Sequence, residues 1–512
     1  MVREDLVKDA GPAPPYADDE NGTTYLERRI RHAGTSKRGT DTRDAEDQDS
    51  DNQHGSVSCM TKLVLLSYYY PPSEAVGGLR AEKVALAFRT RGEEVHVITA
   101  RLPGEKGSLR RQEPGLTVET VEPWTNPRWW YVNLKRRFTP VPTPAEAAAA
   151  SSGSDQTEEV SVPRLKRWIS ALLWLPDDKQ GFIPPAVRAG LRARRAGATV
   201  LYTTVPPFST HLAGLVLQVL TGMRWVLEFR DPWTDSKFRL AHQRSRWTSV
   251  IERWLERRCL ARASLVVSVT EGIQHGLLTK VPDKARAKFL VVRNGIARLR
   301  RVSDASITSK PYRIRYVGSF YHRRDPFPFL EGLAGLIRER GLGVDDIQVE
   351  FVGSCTEYRG IPVASRVRDL NLERIVAIRS WVSHAEAQKL VETADLLLFL
   401  AQDQPAQVPN KLYDYLGTGI PILAFADEQG ESALMLRQVG GHYLVTDDNP
   451  STARKAVASA MDSRSITVGR SQEVLLEWTT EHQMAKLVAA VNLSSEGVVD
   501  GQSRSVAARS TI

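Results

Sequence analysis

Lys411 and Asp414 stand three residues apart in the run VPNKLYDYLGTGIPILA, Val408–Ala424. Pro409 suits a helix entry, where its missing N–H is not needed. Leu412, Tyr415 and Leu416 recur at helical spacing. The pair then lies on one side near a helix N-terminus, where a cation and free amides favour phosphate and a carboxylate can accept two ribose hydroxyls. The same spacing also occurs in ordinary surface ion pairs. Arg323 and Arg324 follow a strand-like run and suit a diphosphate by charge and fork geometry, although a solvent-facing basic loop has the same composition. Gly77-Gly78 opens a helix behind another apolar run, and glycines let backbone amides approach an anion. Ser209, His211, Arg230 and Asp231 follow two further strand-like runs. Ligands of open α/β sheets bind outside the carboxyl ends of strands, so these four belong near one crevice. His211 and Asp231 are the candidate catalytic groups, with Arg230 and Ser209 beside them; a lone histidine equally often serves a core.

The elements that must position these residues read as α/β. Leu63–Ser67 and Val95–Thr99 are strands around a helix that ends near Arg91, with Leu79, Val84, Leu86, Ala87 and Phe88 on its apolar side. Leu116–Val121, Ala198–Thr203, Arg224–Glu228, Leu265–Ser268 and Phe289–Val292 continue the first half, and Asn294-Gly295 marks a turn. A second series runs through Arg313–Val317, Gln348–Val352, Ile375–Ile378, Asp395–Leu400 and Ile420–Phe425. Ser383 and Glu386 form a capping box at the start of a helix. Trp247, Ile251, Trp254 and Leu255 predict a core-covering helix over Arg244–Arg262; its arginines alternate with glutamates, which reads as a solvated face rather than a nucleic-acid surface. No G-x-G-x-x-G is present, so a dinucleotide fingerprint is not supported.

At 512 residues the chain has room for two cores and tails. A net charge of +9 permits anionic partners without selecting one. No run reaches the roughly 18 apolar residues of a membrane span, and the polar N-terminus carries no secretory pattern. Cys59, Cys259 and Cys355 lie far apart and make neither a metal pattern nor a disulfide framework, which predicts a cytoplasmic setting. Residues 1–58 are too polar to bury a core and read as disordered, as do those from 494 on; the D-x-D triplets within Asp47–Asp51 read as solvated charge. Pro140–Glu159 reads as a mobile insert, bounded at about 139–162. Arg128–Tyr131 and Arg164–Leu175 mix tryptophans with cations, a composition that suits a membrane interface as well as a packed helix.

In combination these stretches resemble the GT-B glycosyltransferases of glycosyltransferase family 4, in a bacterial form. Pro409, Asn410, Lys411, Asp414, Tyr415, Gly419 and Pro421 match a variant of the donor-site segment P-S-K-x-x-E-Y-x-x-x-G-x-P. The order strand, Tyr-x-Pro-Pro, Gly77-Gly78, helix resembles the family's opening. Pro206–Leu212 together with Phe229–Trp233 resembles one bacterial branch, and Asn294-Gly295 its interdomain corner, with Arg293 in place of proline. Two departures stand out. Ser319 replaces the arginine of V-G-R-L-x-x-x-K-G, with Arg324 at the lysine position, and Ala406 stands where an E-x7-E pair has its first glutamate.

The resemblance implies two Rossmann-like doubly wound domains, 59–296 for the acceptor and 297–475 for the nucleotide-sugar, with a terminal helix at 476–493 that can cross back. It implies a retaining, metal-independent transfer of a sugar from a nucleotide-diphosphate donor, a UDP-sugar by preference, to a saccharide or lipid-linked acceptor in polysaccharide or glycolipid assembly. The setting would be the cytoplasm, in peripheral contact with the membrane's inner face and without nucleic acid. Gly77, Gly78, Arg323, Arg324, Lys411 and Asp414 would hold the donor. A nucleotide-sugar 2-epimerase and a non-catalytic scaffold of the same fold are the alternatives.

Overall fold

The computed structural model describes residues 62–73, 76–105, 109–125, 175–236, 246–300, 310–321, 324–463 and 470–492. The tails, the insert, the tryptophan-rich segments before Leu175, and Arg323 lie outside the described residues.

The first half builds β1 (Lys62–Leu66), α1 (Val76–Arg89), β2 (Glu94–Ala100), β3 (Arg110–Glu113), β4 (Leu116–Val121), α2 (Ile183–Arg195), β5 (Val200–Val205), α3 (Ser209–Thr221), β6 (Arg224–Phe229), α4 (Arg246–Arg262), β7 (Leu265–Ser268), α5 (Glu271–Leu278) and β8 (Phe289–Val291). Its strands form one sheet in the order β3-β4-β2-β1-β5-β6-β7-β8, parallel throughout except for the antiparallel β3–β4 edge. The second half builds β9 (Tyr312–Val317), α6 (Phe327–Arg340), β10 (Ile347–Val352), the short hairpin β11 (Glu357–Tyr358) and β12 (Ile361–Pro362), α7 (Val363–Asp369), β13 (Val376–Arg379), α8 (His384–Glu392), β14 (Leu396–Ala401), α9 (Asn410–Thr418), β15 (Ile422–Ala426), α10 (Glu431–Val439), β16 (Tyr443–Val445), α11 (Pro450–Asp462) and α12 (Gln472–Glu477). Its sheet has the order β13-β10-β9-β14-β15-β16, all parallel.

Parallel sheets covered on both faces need strands that are apolar without alternation. β5 and β14, VLYTTV and LLLFLA, are buried at every position. Each sheet reverses its winding beside its first strand, at β1/β5 and at β9/β14. Such switch points open a crevice at the strands' carboxyl ends. A last helix over 480–492 places Met484, Leu487, Val488 and Val491 in the first half's core, against residues such as Leu63, Leu65, Val84 and Phe88.

Two local expectations change, and one strand was missed. The polar strand β3 carries no apolar periodicity and had no sequence signal. On α1, Leu79 is partly exposed while Arg80 is buried, because Glu228 on β6 neutralises it. On α4, the tryptophans expected on the core face point outward and the glutamates inward: Trp247 and Trp254 are 59% and 54% exposed, Glu252 and Glu256 3% and 0%.

Candidate functional site

The donor-side candidates hang from the two loops at the second sheet's switch point. Pro409 precedes α9 and makes no side-chain cap, and Gly419 ends the helix in a left-handed conformation (φ 80°) that costs glycine little. Lys411 on the first turn reaches back toward β9, with Nζ 5.1 Å from the centre of the Tyr316 ring. Gly318 makes this reach possible, since a Cβ there would lie 1.3 Å from Lys411 Nζ. Burial, and then the like charge of Arg324, lower the Lys411 ammonium to about 7, while Cys355 and Asp414 oppose the shift. Arg324 is 7% exposed and its Cζ lies 4.1 Å from the Tyr321 ring centre; its Nε makes no hydrogen bond. The supporting groups are bonded. The Tyr316 hydroxyl donates to the Ser319 carbonyl at 2.9 Å, Cys355 Sγ donates to the Gly318 carbonyl at 3.2 Å, and Val317 N–H donates to the Tyr415 hydroxyl at 3.2 Å. Two cations thus share a strongly desolvated spot, an arrangement that an anion would relieve.

Asp414, one turn further on α9, keeps an exposed edge. Burial raises its carboxyl, and Lys83 of α1 is the first of the charges that oppose the rise. Lys83 donates to the Asn294 carbonyl at 3.2 Å and the Thr480 hydroxyl at 3.4 Å, and burial and Arg80 lower it to about 8. The α1 entrance is tightly fitted. A Cβ on Gly78 would meet the Tyr70 backbone at 3.1 Å, and one on Gly77 the Tyr69 ring at 2.9 Å.

The Arg80–Glu228 pair went unrecognised in the sequence. Arg80 Nη2 donates to Glu228 Oε1 at 2.9 Å and to the Val292 carbonyl at 2.9 Å, and Nη1 donates to the Arg293 carbonyl at 2.7 Å. The Thr204 hydroxyl donates to Glu228 Oε2 at 2.7 Å. Burial alone would raise Glu228, but Arg80 and Thr204 outweigh it and hold the carboxyl low. The bonded pair joins α1, β6 and the corner between the halves.

The acceptor-side candidates separate into two kinds. Arg230 is a clamp: it donates to the carbonyls of Val205 at 2.8 Å, Gly77 at 2.5 Å and Pro206 at 2.9 Å, tying three loops together. Asp231 faces the second half, and Gln407 Nε2 donates to its Oδ1 at 2.6 Å. Burial raises the Asp231 carboxyl against the opposing pull of Arg230 and Gln407. His211 and Ser209 are instead in the core. Ser209 is fully buried and both its N–H and hydroxyl donate to Asp177, at 2.9 and 2.5 Å. His211 is also fully buried, with its ring edge-on to Phe229 and Trp225. Thr203 Oγ1 accepts from Trp225 Nε1 at 2.9 Å and shares a hydrogen bond of 2.8 Å with His211 Nδ1. Burial, then Arg230, push the imidazole well below its ordinary range, so it is neutral. The expectation of a crevice-facing His211 and Ser209 is corrected by this burial.

Several contacts close the gap between the halves. The Thr270 hydroxyl donates to the Ala406 carbonyl at 2.7 Å, Gly272 N–H donates to Glu431 Oε1, and Arg293 lies 3.5 Å from Glu431 Oε2. A Cβ on Gly272 would meet Ala406 Cα at 2.9 Å. Ala406, where an E-x7-E pair would place an acid, is therefore in backbone contact with the first half. A cavity of about 180 Å³ lies behind Arg293 and Trp478, and another of about 360 Å³ lies beside Glu119 and Arg188; neither is lined by Lys411 or Arg324.

No protein-family model matches this chain, and no curated protein matches it. Solved structures do match. Sucrose-phosphate synthase from Thermosynechococcus elongatus is 14% identical with a TM-score of 0.53, over 85% of this chain and 100% of that one. An α,α-trehalose 6-phosphate synthase from Burkholderia multivorans is 9% identical with a TM-score of 0.55, over 86% and 98%. Anabaena HepE in complex with UDP and glucose is 11% identical with a TM-score of 0.50, over 84% and 99%. These neighbours are GT-B glycosyltransferases, and at such identities the likeness fixes the architecture: this chain has the GT-B fold, two Rossmann-like halves about a central cleft.

Proposed function

We propose that the protein is a glycosyltransferase of the family-4 kind, hexosyltransferase-like, that moves a sugar from a nucleotide-diphosphate donor to an acceptor hydroxyl. One observation carries the reading: Lys411 and Arg324, both strongly desolvated, share a spot at a switch point, with Asp414 one turn away on the same helix. Preorganised cations in a closed cleft stabilise charge that develops on a leaving diphosphate. Asp414 would accept the ribose hydroxyls, and the α1 amides at Gly77 and Gly78 would face the same phosphates. The complex of the HepE neighbour with UDP and glucose supports a UDP-sugar as donor. Transfer would retain configuration: the anomeric carbon–oxygen bond breaks, the departing diphosphate takes the acceptor's proton, and the acceptor oxygen bonds on the same face. Asp231 would be the acceptor-side carboxylate, since it meets Gln407 of the second half, while His211 would brace the loop that carries it. No metal is assigned a step. A saccharide or lipid-linked acceptor, and a place in polysaccharide or glycolipid assembly, belong to this proposal.

The backbone contact at Ala406 favours one rival, a GT-B scaffold without transfer. A panel of UDP-, GDP- and dTDP-sugars tests both, because a ligand that binds only the folded state raises its melting temperature. Stabilisation by a nucleotide-sugar together with transfer or slow donor hydrolysis is expected. Stabilisation without either reaction identifies the scaffold, and no stabilisation by any member refutes the donor site.

A further inference from the structure

The outward face of α4 has no part in that chemistry, yet its composition is unusual for a solvated surface. Trp247, Val250 and Trp254 are 59%, 50% and 54% exposed, and Ala261 is exposed with them. At 3.6 residues per turn these four side chains fall within an arc of about 60°. Arg253 and Arg257 flank the arc on one side, Arg258 and Arg262 on the other, and all four are exposed. The helix's two carboxylates are turned inward: Glu256 is fully buried, with Lys280 Nζ donating to it at 2.8 Å, and Glu252 is 3% exposed. Arg258 lies 5.3 Å from the Trp254 ring centre, cation over aromatic. The neighbouring helix extends the patch. Arg262 Nη1 donates to Gln218 of α3 at 3.5 Å, and α3 exposes Val216, Val219 and Leu220 at 40%, 55% and 61%.

An apolar centre with tryptophans, edged on both sides by arginines and carrying no outward carboxylate on its helix, is complementary to a layer that is greasy inside and anionic at its rim. A second copy of the chain fits poorly. A twofold contact sets a surface against itself, which here would press arginines against arginines. We infer that the α4 face, extended by the end of α3, is a docking surface for an anionic lipid membrane, with the indoles at headgroup depth and the guanidinium groups on lipid phosphates. The inference is independent of the nucleotide-sugar reading. Among the described residues no helix is long and apolar enough to cross a membrane, so the contact is peripheral.

Flotation of the full chain with phosphatidylcholine vesicles, with and without phosphatidylglycerol, tests it. The wild type is expected to float with the anionic vesicles and to release with added salt. Arg257→Gln with Arg258→Gln should lower the partition coefficient about thirtyfold. Trp247→Ser with Trp254→Ser should lower it at least tenfold, with the melting temperature of each variant checked against the wild type. Failure of the wild type to float overturns the inference. Undiminished flotation of the arginine variant, whose changes are at the surface, overturns it as well and moves the contact elsewhere. A dimer in light scattering that Trp254→Ser splits would show the occupant to be a second copy instead.

Discussion

Replacing Lys411 by methionine should stabilise the protein while removing its donor site. The ammonium drops from 10.5 to about 7, chiefly through burial. At 1.36 kcal/mol per unit, that shift sets a ceiling of about 5 kcal/mol on the cost of holding the charge there. Lys411 keeps some contact with cleft water, so screening brings the cost below that ceiling, to about 3–4 kcal/mol. Between about pH 7 and 10.5 the unfolded lysine holds a proton that the native one has released, so native stability rises with pH through that window. Below pH 7 the charge is present in both states and its full cost is felt. Lys411→Met should therefore melt about 2–4 °C above the wild type at pH 6. The advantage should shrink as pH rises, and most of it should be gone by about pH 9.5. Thermal scans of both proteins across that range measure it. In the same scans UDP should stabilise the wild type and leave the variant unmoved, since a charge-assisted phosphate contact contributes about 1.5–3 kcal/mol. A variant that melts lower at pH 6, or a difference that ignores pH, refutes the picture of a desolvated cation. Unchanged UDP affinity removes Lys411 from the site.

Three further outcomes follow from the same geometry. Arg324→Met should weaken UDP binding about ten- to hundredfold by calorimetry, the loss expected for a charged contact; an unchanged Kd would leave Lys411 without its partner. Gly318→Ala should displace the Lys411 ammonium, the atom nearest the new Cβ, and should also strain the backbone, which holds a φ of +154° there; a titration with UDP should show weakened binding together with a loss of about 1–3 kcal/mol in urea unfolding, and unaltered binding would refute the packing argument. Glu228→Gln should destabilise by about 3–5 kcal/mol in urea unfolding, since it leaves the buried Arg80 uncompensated; a loss under 1 kcal/mol would show that Arg80 finds other relief.

The elements that carry the candidate site were largely legible in the sequence. Buried parallel strands are apolar without alternation, and helix ends carry Pro409, Ser383 and Gly419, so the two α/β series could be read from local rules. The same rules placed Lys411 and Asp414 on one end of a helix. His211 was less tractable: its neighbours in sequence suggest a crevice, whereas the facing Trp225 and Phe229 come from another strand and enclose it. Leu79 and α4 failed for a related reason. Helical spacing shows that two faces differ, but not which of them another element will cover.

The chain's own pattern determined the alternation of strand and helix, the doubly wound class, and which loops carry phosphate-friendly residues. Local propensity and hydrophobic period are properties of neighbouring residues, and a sequence displays them directly. Only the tertiary structure decided that Gly318 makes room for Lys411, that Glu228 neutralises Arg80, that Asp231 meets Gln407 across the cleft, and that α4 turns its arginines and tryptophans outward. Each of these depends on distance through space between segments far apart in the chain, and burial sets both the charge of such groups and the face that stays wet.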